Sequence, residues 1–228
     1  FKNTIKKIVK FFKINIFITK LFVYLDYDIS KSKRKNKKID FDNTLKFFLN
    51  KIPGSVKQQI IFDVGAYTGQ SVERFKKIFN NPVIHSFEPQ HDAFKQLQNN
   101  YPSDENVILN NFGLGDKIEE KSFYHVKHNS GKSSFHHFTI KDDIIDSREY
   151  MNQNTESEAL SLRTLDEYVK KNNINKIHLL KIDTQGFEDK VLAGAQETLK
   201  KNLIDVIELE IQLGKMYEKT SSFNEIEN

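Results

Sequence analysis

Gln58-Gln59-Ile60-Ile61-Phe62-Asp63-Val64-Gly65-Ala66-Tyr67-Thr68-Gly69-Gln70-Ser71 opens with an apolar run rich in β-branched and aromatic residues, breaks at two glycines four apart, and resumes with helical spacing. It predicts a buried strand, a tight turn and a helix N-terminus. In an α/β sheet such a turn lies at the carboxyl edge of a central strand, where backbone N–H groups and the helix dipole converge on whatever binds there. The turn is therefore the first candidate for a small-molecule site.

Downstream, Val72, Phe75 and Phe79 share one face of a helix running to about Asn80, and Val83 to Phe87 makes a second strand closed by Glu88-Pro89. Asp92 to Asn100 follows as a helix and Asn106 to Asn111 as a third strand, leading into Phe112-Gly113-Leu114-Gly115-Asp116. This βαβαβ alternation predicts an α/β fold with a mostly parallel, doubly wound sheet. Residues 117–160 are less regular, with Ser122 to Val126 as an extra edge strand and His128 to His137 as a polar loop containing Ser133-Ser134. Regular spacing returns with a helix over Thr164 to Lys171, a strand over Lys176 to Ile182, a helix over Glu188 to Lys200 and a strand over Ile204 to Ile211. Gln212 to Asn228 has no strong period.

Upstream, Phe41 to Ile52 gives a short helix with Leu45, Phe48 and Leu49 on one side, ended by Pro53-Gly54. Ser30 to Lys38 carries too many like charges to be buried and reads as an exposed linker. Phe1, Ile5, Ile8 and Phe12 stand at helical spacing among Lys2, Lys6, Lys7, Lys10 and Lys13, and the apolar content rises from Ile14 to Leu25. The expected organisation is a basic amphipathic helix and linker over residues 1–40, then one α/β domain over 41–228.

Positive charge is concentrated from Lys2 to Lys38 in a chain whose net charge is +4. A basic arm of this kind suggests an anionic surface, lipid headgroups or nucleic acid, with a solvated tail as the plain alternative. Its apolar stretch is shorter than the roughly 20 residues of a membrane span, so the membrane form expected is peripheral contact through residues 1–38. Packing on its own domain, or on a second subunit of a homo-oligomer, is the competing use. No signal-peptide pattern is evident. Cysteine is absent, which excludes disulfides, thiolate metal sites and cysteine nucleophiles and is compatible with the cytoplasm.

Tyr67 bears on what the glycine turn holds. A dinucleotide fingerprint has a second glycine that lets a pyrophosphate press against the backbone, and Tyr67 stands in that place here. A nucleoside joined to an amino acid, S-adenosyl-L-methionine (SAM), fits better, although two glycines alone can also serve chain reversal. Glu88 follows Gly65 by 23 residues, near the spacing at which such folds place an acid to accept both ribose hydroxyls. The alternative for Glu88 is an exposed carboxylate at a strand end.

The segments IIFDVGAYTGQS, VIHSFEPQ, NNFGLGD, SLRTLDEYV and LLKIDTQGFEDKVLAGAQETL, in that order, resemble the FkbM family of SAM-dependent methyltransferases over residues 58 to 211. The resemblance implies a Rossmann-like class I methyltransferase core and O-methylation of a hydroxyl on a small acceptor, a sugar, glycan or other natural product. Carried onto this sequence, Asp63 and the turn Gly65, Ala66, Tyr67, Thr68 and Gly69 hold the methionine end of SAM. Glu88, with Pro89 fixing the turn behind it, holds the ribose, Phe112 and Gly113 the adenine edge, and Asp183 sits close to the sulfonium and the acceptor. Family members continue past the fifth strand with a helix and an antiparallel strand pair, whereas this chain ends at Asn228. A C-terminally truncated core is expected, with Ile204 to Ile211 an exposed edge unless another segment covers it. Gln185 stands where many relatives carry Glu.

Methyl transfer to a hydroxyl needs positioning and one base. Asp183 is the first candidate for that base, Glu210 and His137 the next, with Glu188, Glu208 and His136 behind them. Glu188 has the alternative of serving its own helix N-terminus, and a loop histidine that of facing solvent. No paired-acid motif asks for a metal. Two rival readings remain: a nucleic-acid methyltransferase or binder using Lys31 to Lys38, disfavoured because no aromatic residues interleave that tract, and a non-catalytic scaffold of the same fold.

Overall fold

The computed structural model describes residues 20–25, 42–43, 45–46, 58–126, 133, 135 and 155–211. Residues 1–19 of the basic helix expected over residues 1–25, the charged linker, both His136 and His137, and the tail from 212 onward lie outside the described residues.

The chain builds the βαβαβ unit its sequence predicts. It runs through β1 (Lys20–Leu25), β2 (Ile60–Val64), α1 (Gln70–Ile78), β3 (Val83–Phe87), α2 (His91–Asn100) and β4 (Val107–Asn110). After a small second sheet it returns through α3 (Leu165–Lys171), β8 (Leu179–Ile182), α4 (Glu188–Ala193), α5 (Gln196–Lys200) and β9 (Val206–Ile211). The main sheet has the order β1-β9-β8-β2-β3-β4, and its neighbours pair in parallel. This is the Rossmann-like, doubly wound arrangement. Chain order reverses between β2 and β8, so the crevice at the carboxyl ends of these two strands is where such a sheet binds ligands.

Alternation along each strand feeds two cores. Phe62, Val64, Leu180, Ile182, Ile207 and Leu209 face α3, α4 and α5 on one side. Ile61, Leu179 and Val206 face the other side, where Val72, Phe75, Leu97 and Leu45 close over them. Asp42, Asn43, Leu45 and Lys46 are helical, as expected of the segment after the linker.

Three readings are corrected. Lys20–Leu25, read as the end of the basic helix, is a strand, with Lys20 opposite Val206 and Leu25 opposite Ile211. Its aromatic and β-branched run suits a pleated surface better than a helix, and it covers the edge of β9 that the sequence leaves open. Residues on both sides of position 40 thus share one sheet. The helix predicted over Glu188 to Lys200 is two helices, because Gly194 passes so close to the Gly115 carbonyl oxygen that a Cβ there would lie 2.0 Å from it. The irregular region contains a ribbon, β6 (Glu119–Val126) antiparallel to β7 (Thr155–Arg163), with β5 (Gly113–Leu114) parallel to β7 on its far edge. The predicted edge strand from Ser122 to Val126 is the end of β6. Among the described residues, no helix is long and apolar enough to cross a membrane.

Candidate functional site

A cleft of about 430 Å³ opens where β2 and β8 diverge. One wall is the β2–α1 turn, which closes on itself through Gly69 N–H donating to the Ala66 carbonyl at 2.9 Å. Gly65 lies at φ +81°, and a Cβ added there would stand 1.9 Å from the Asp183 carbonyl oxygen. The glycine is required by the approach of two loops across the switch point. Tyr67 also adopts a left-handed backbone, at φ 48°, and lines the cleft with Gly65, Ala66, Gln70 and Ser71.

Beside the turn stands Glu88, at the end of β3. It is 6% exposed, and its two carboxyl oxygens each accept one backbone N–H, Oε2 from Tyr67 and Oε1 from Gln90, both at 2.9 Å. Burial, only partly offset by these two bonds, pushes its pKa up to about 7. Pro89 lies beside it in the same wall, and Asn111 fastens the turn by donating its side-chain amide to the Glu88 and Pro89 carbonyls.

At the floor, β8 delivers Lys181 and Asp183. Lys181 Nζ is 3.2 Å from Asp63 Oδ1 and 3.4 Å from Asp183 Oδ2. It also donates to the Gly65 carbonyl at 3.4 Å. Burial alone would lower its pKa, but Asp63, Asp183 and Glu208 outweigh that and hold it above the ordinary value, so it is a cation throughout the neutral range. Gln185 donates to Asp183 Oδ1 at 3.0 Å and to Glu210 Oε2 at 2.8 Å. Despite burial, Lys181 and donated hydrogen bonds hold Asp183 below the usual carboxylate range. Burial and the neighbouring Asp183 hold Glu210 well above it.

The predicted site residues are thus largely gathered, with specific departures. Asp63 is fully buried and does not line the cleft; it accepts from the Ser71 hydroxyl at 2.5 Å and faces Lys181, so it supports two residues that do line it. Thr68 and Gly69 lie behind the turn, their carbonyls held by Asn100 and the Tyr101 hydroxyl. Phe112 packs its ring on Phe87 and Tyr168, with the Arg163 guanidinium over it, and leaves the cleft wall to Gly113 and Leu114. Glu188 is taken up by its own loop, where Oε1 accepts from Thr184 N–H, the Thr184 hydroxyl and Gly186 N–H. Glu208 accepts both terminal nitrogens of Arg74, at 2.6 and 3.0 Å. Neither is free to act as a base. His136 and His137 lie outside the described residues.

Residue-by-residue reading missed Lys181, Gln185 as a bridge, and the aromatic wall of Phe123, Phe135 and Phe187. Lys181 did leave a signal, being the one charge in a strand otherwise built to be buried. Phe135 meets Phe123 edge-to-face and Phe187 at a tilt, at ring separations of 4.9 and 5.1 Å, a meeting of separate segments that no local pattern announces. Among the described residues, no three His, Asp or Glu side chains converge as metal ligands.

Residues 63–228 match the family of the methyltransferase FkbM domain. No curated protein and no solved structure matches this chain.

Proposed function

Since the chain belongs to the FkbM family of methyltransferases, we propose that it uses SAM as methyl donor and a hydroxyl on a small acceptor, a sugar or other natural product, as methyl acceptor. The observation that carries the cofactor reading is Glu88, a buried carboxylate at the cleft wall whose two oxygens each hold a single backbone N–H. An ionised carboxylate has about four lone-pair positions, so two are left for a vicinal diol such as a ribose. Beside it, Tyr67 stands at the turn position where a dinucleotide fingerprint needs glycine to admit a pyrophosphate. The donor set therefore fits an adenosyl amino acid. SAM, when bound, supplies a methyl group already activated for transfer.

The chain's own residues then have five tasks. Glu88 orients the nucleoside by accepting its hydroxyls, and the turn from Gly65 to Tyr67 borders the amino-acid end. Lys181 and Ser71 line the floor, held in place by Asp63. The aromatic wall and Leu114 exclude water. Asp183, ionised and 34% exposed at its side chain, is the group placed to accept the proton of the acceptor hydroxyl.

Calorimetric titration with SAM tests this reading. Because Glu88 titrates near 7, it holds a proton at pH 6 and is a full acceptor only above 7. Affinity should rise about tenfold from pH 6 to pH 8, the factor expected when one group must lose a proton to bind. Glu88→Ala should weaken binding about 10- to 100-fold, the worth of hydrogen bonds to a charged group, and should remove that component of the pH dependence. Unchanged affinity in a folded Glu88→Ala protein would refute the assignment.

A further inference from the structure

Asp183 lines two spaces at once. Together with Arg74 and Lys181 it borders both the main cleft and an adjoining cavity of about 300 Å³ whose remaining walls are Asp42, Ile182, Glu208 and Glu210. At this junction the Gln185 carboxamide reaches Asp183 Oδ1 at 3.0 Å and Glu210 Oε2 at 2.8 Å. Two ionised carboxylates so close would repel, whereas one ionised and one protonated carboxyl form a stable pair. A carboxamide can donate one N–H to each without titrating.

The backbone is shaped to hold this bridge. Gln185 sits in the left-handed region at φ 54° and is followed by Gly186 at φ 97°. Such a conformation costs a non-glycine residue energy and persists where surroundings enforce it. Glu188 enforces it by gathering Thr184 and Gly186 onto one carboxyl oxygen.

We infer that Gln185 is a positioning residue for proton acceptance, whose amide fixes Asp183 and Glu210 as a pair sharing one proton with Asp183 the ionised member at the cleft. The groups facing the pair agree with this division. Lys181 from β8 stands 3.4 Å from Asp183 Oδ2 and favours its ionised form, while Asp63 from β2 is neutralised by the same ammonium. Glu208 from β9 is occupied by Arg74 from α1, and Glu188 from α4 adds negative potential that keeps the proton on Glu210. Asp183 can then accept the proton that the acceptor hydroxyl gives up as its oxygen is methylated and pass it on to solvent. This use rests on the O-methyltransferase reading, but the shared proton does not.

The experiment is carboxyl 13C NMR of the full chain labelled at Asp and Glu, titrated with pH, with Asp183→Asn and Glu210→Gln spectra to assign the two signals. Glu210 should titrate above neutrality and Asp183 below the ordinary carboxylate range. Gln185→Leu should raise the Asp183 midpoint by about one pH unit through loss of a donor to its charged form, a change that a purely structural role would not cause. Gln185→Glu, which keeps the shape, should add a third carboxyl that titrates above the ordinary range, and it carries the test if the leucine variant fails to fold. Both wild-type carboxyls titrating near 4, or variant curves that superimpose on the wild type, would overturn the inference. SAM titration of the same samples separates the two claims: binding lost with the shared proton intact sinks the cofactor reading alone.

Discussion

Gly65→Ala should destabilise the protein by about 2–5 kcal/mol, the sum of a left-handed backbone forced on an L-residue and overpacking of a close contact. For a chain of this size that lowers Tm by about 4–20 °C. The magnitude follows from what the new methyl would meet: a Cβ 1.9 Å from the Asp183 carbonyl oxygen strikes backbone, which cannot rotate aside. Asp183 N–H is itself bonded to the Val64 carbonyl at 3.0 Å, so relief requires β2 and β8 to part where the cleft begins. Gly115→Ala provides the comparison. Its Cβ would stand 3.1 Å from a ring atom of Phe187, a side chain able to yield by a few tenths of an ångström. Thermal unfolding should therefore separate the two variants clearly, and equal, small losses would show that the two loops are not held in the contact described.

Lys181→Met should cost about 3–5 kcal/mol, the penalty for leaving one member of a buried ion pair without its partner. Asp63 is fully buried, with Ser71 on one oxygen and the Lys181 ammonium facing the other. Removing the ammonium strands that charge, and it also frees Asp183 from its nearest cation. Asp63→Asn in the same background should recover a substantial part of the loss, since the stranded charge is then gone. Denaturant unfolding of the two single variants and the double variant yields the coupling directly. Additive losses would mean that Lys181 is held by packing of its stem and not by the carboxylates.

Much of this was legible from local pattern. The run from Ile60 to Val64 ending in Gly65 announced a buried strand and a turn, and the alternation downstream of it fixed a parallel sheet, because both signals depend on residues adjacent in sequence. Glu88 was singled out for the same reason, as the acid closing a buried strand, whereas Asp183 was named from the family resemblance. What local pattern could not show was which of several polar neighbours actually faces the cleft. Asp63 lies within the strand and Thr68 beyond the turn, yet the pleat and the turn direct both away from the space that Ser71 and Lys181 line. Phe112 is drawn under the sheet by Phe87 and Tyr168, an aromatic contact assembled from three segments. Lys20–Leu25 was misread because its apolar run follows a stretch of helical spacing, and only the unpaired edge of β9, some 180 residues later, decides in favour of a strand. Of the β6–β7 ribbon only Ser122 to Val126 was read as strand, because the outward-facing positions of β7 are mostly charged or polar, which hides the buried Leu160 and Leu162.

The Glu88 carboxylate and the β2–α1 turn bonded to it are proposed to form the berth for an adenosyl amino acid. A crystal structure of the full chain with S-adenosylhomocysteine, the demethylated form of the donor, tests it most directly. The expected result is both ribose hydroxyls on the Glu88 carboxylate and the amino-acid end beside Gly65 and Lys181. A nucleoside seated elsewhere on the molecule, with Glu88 still holding only Tyr67 and Gln90, would contradict it.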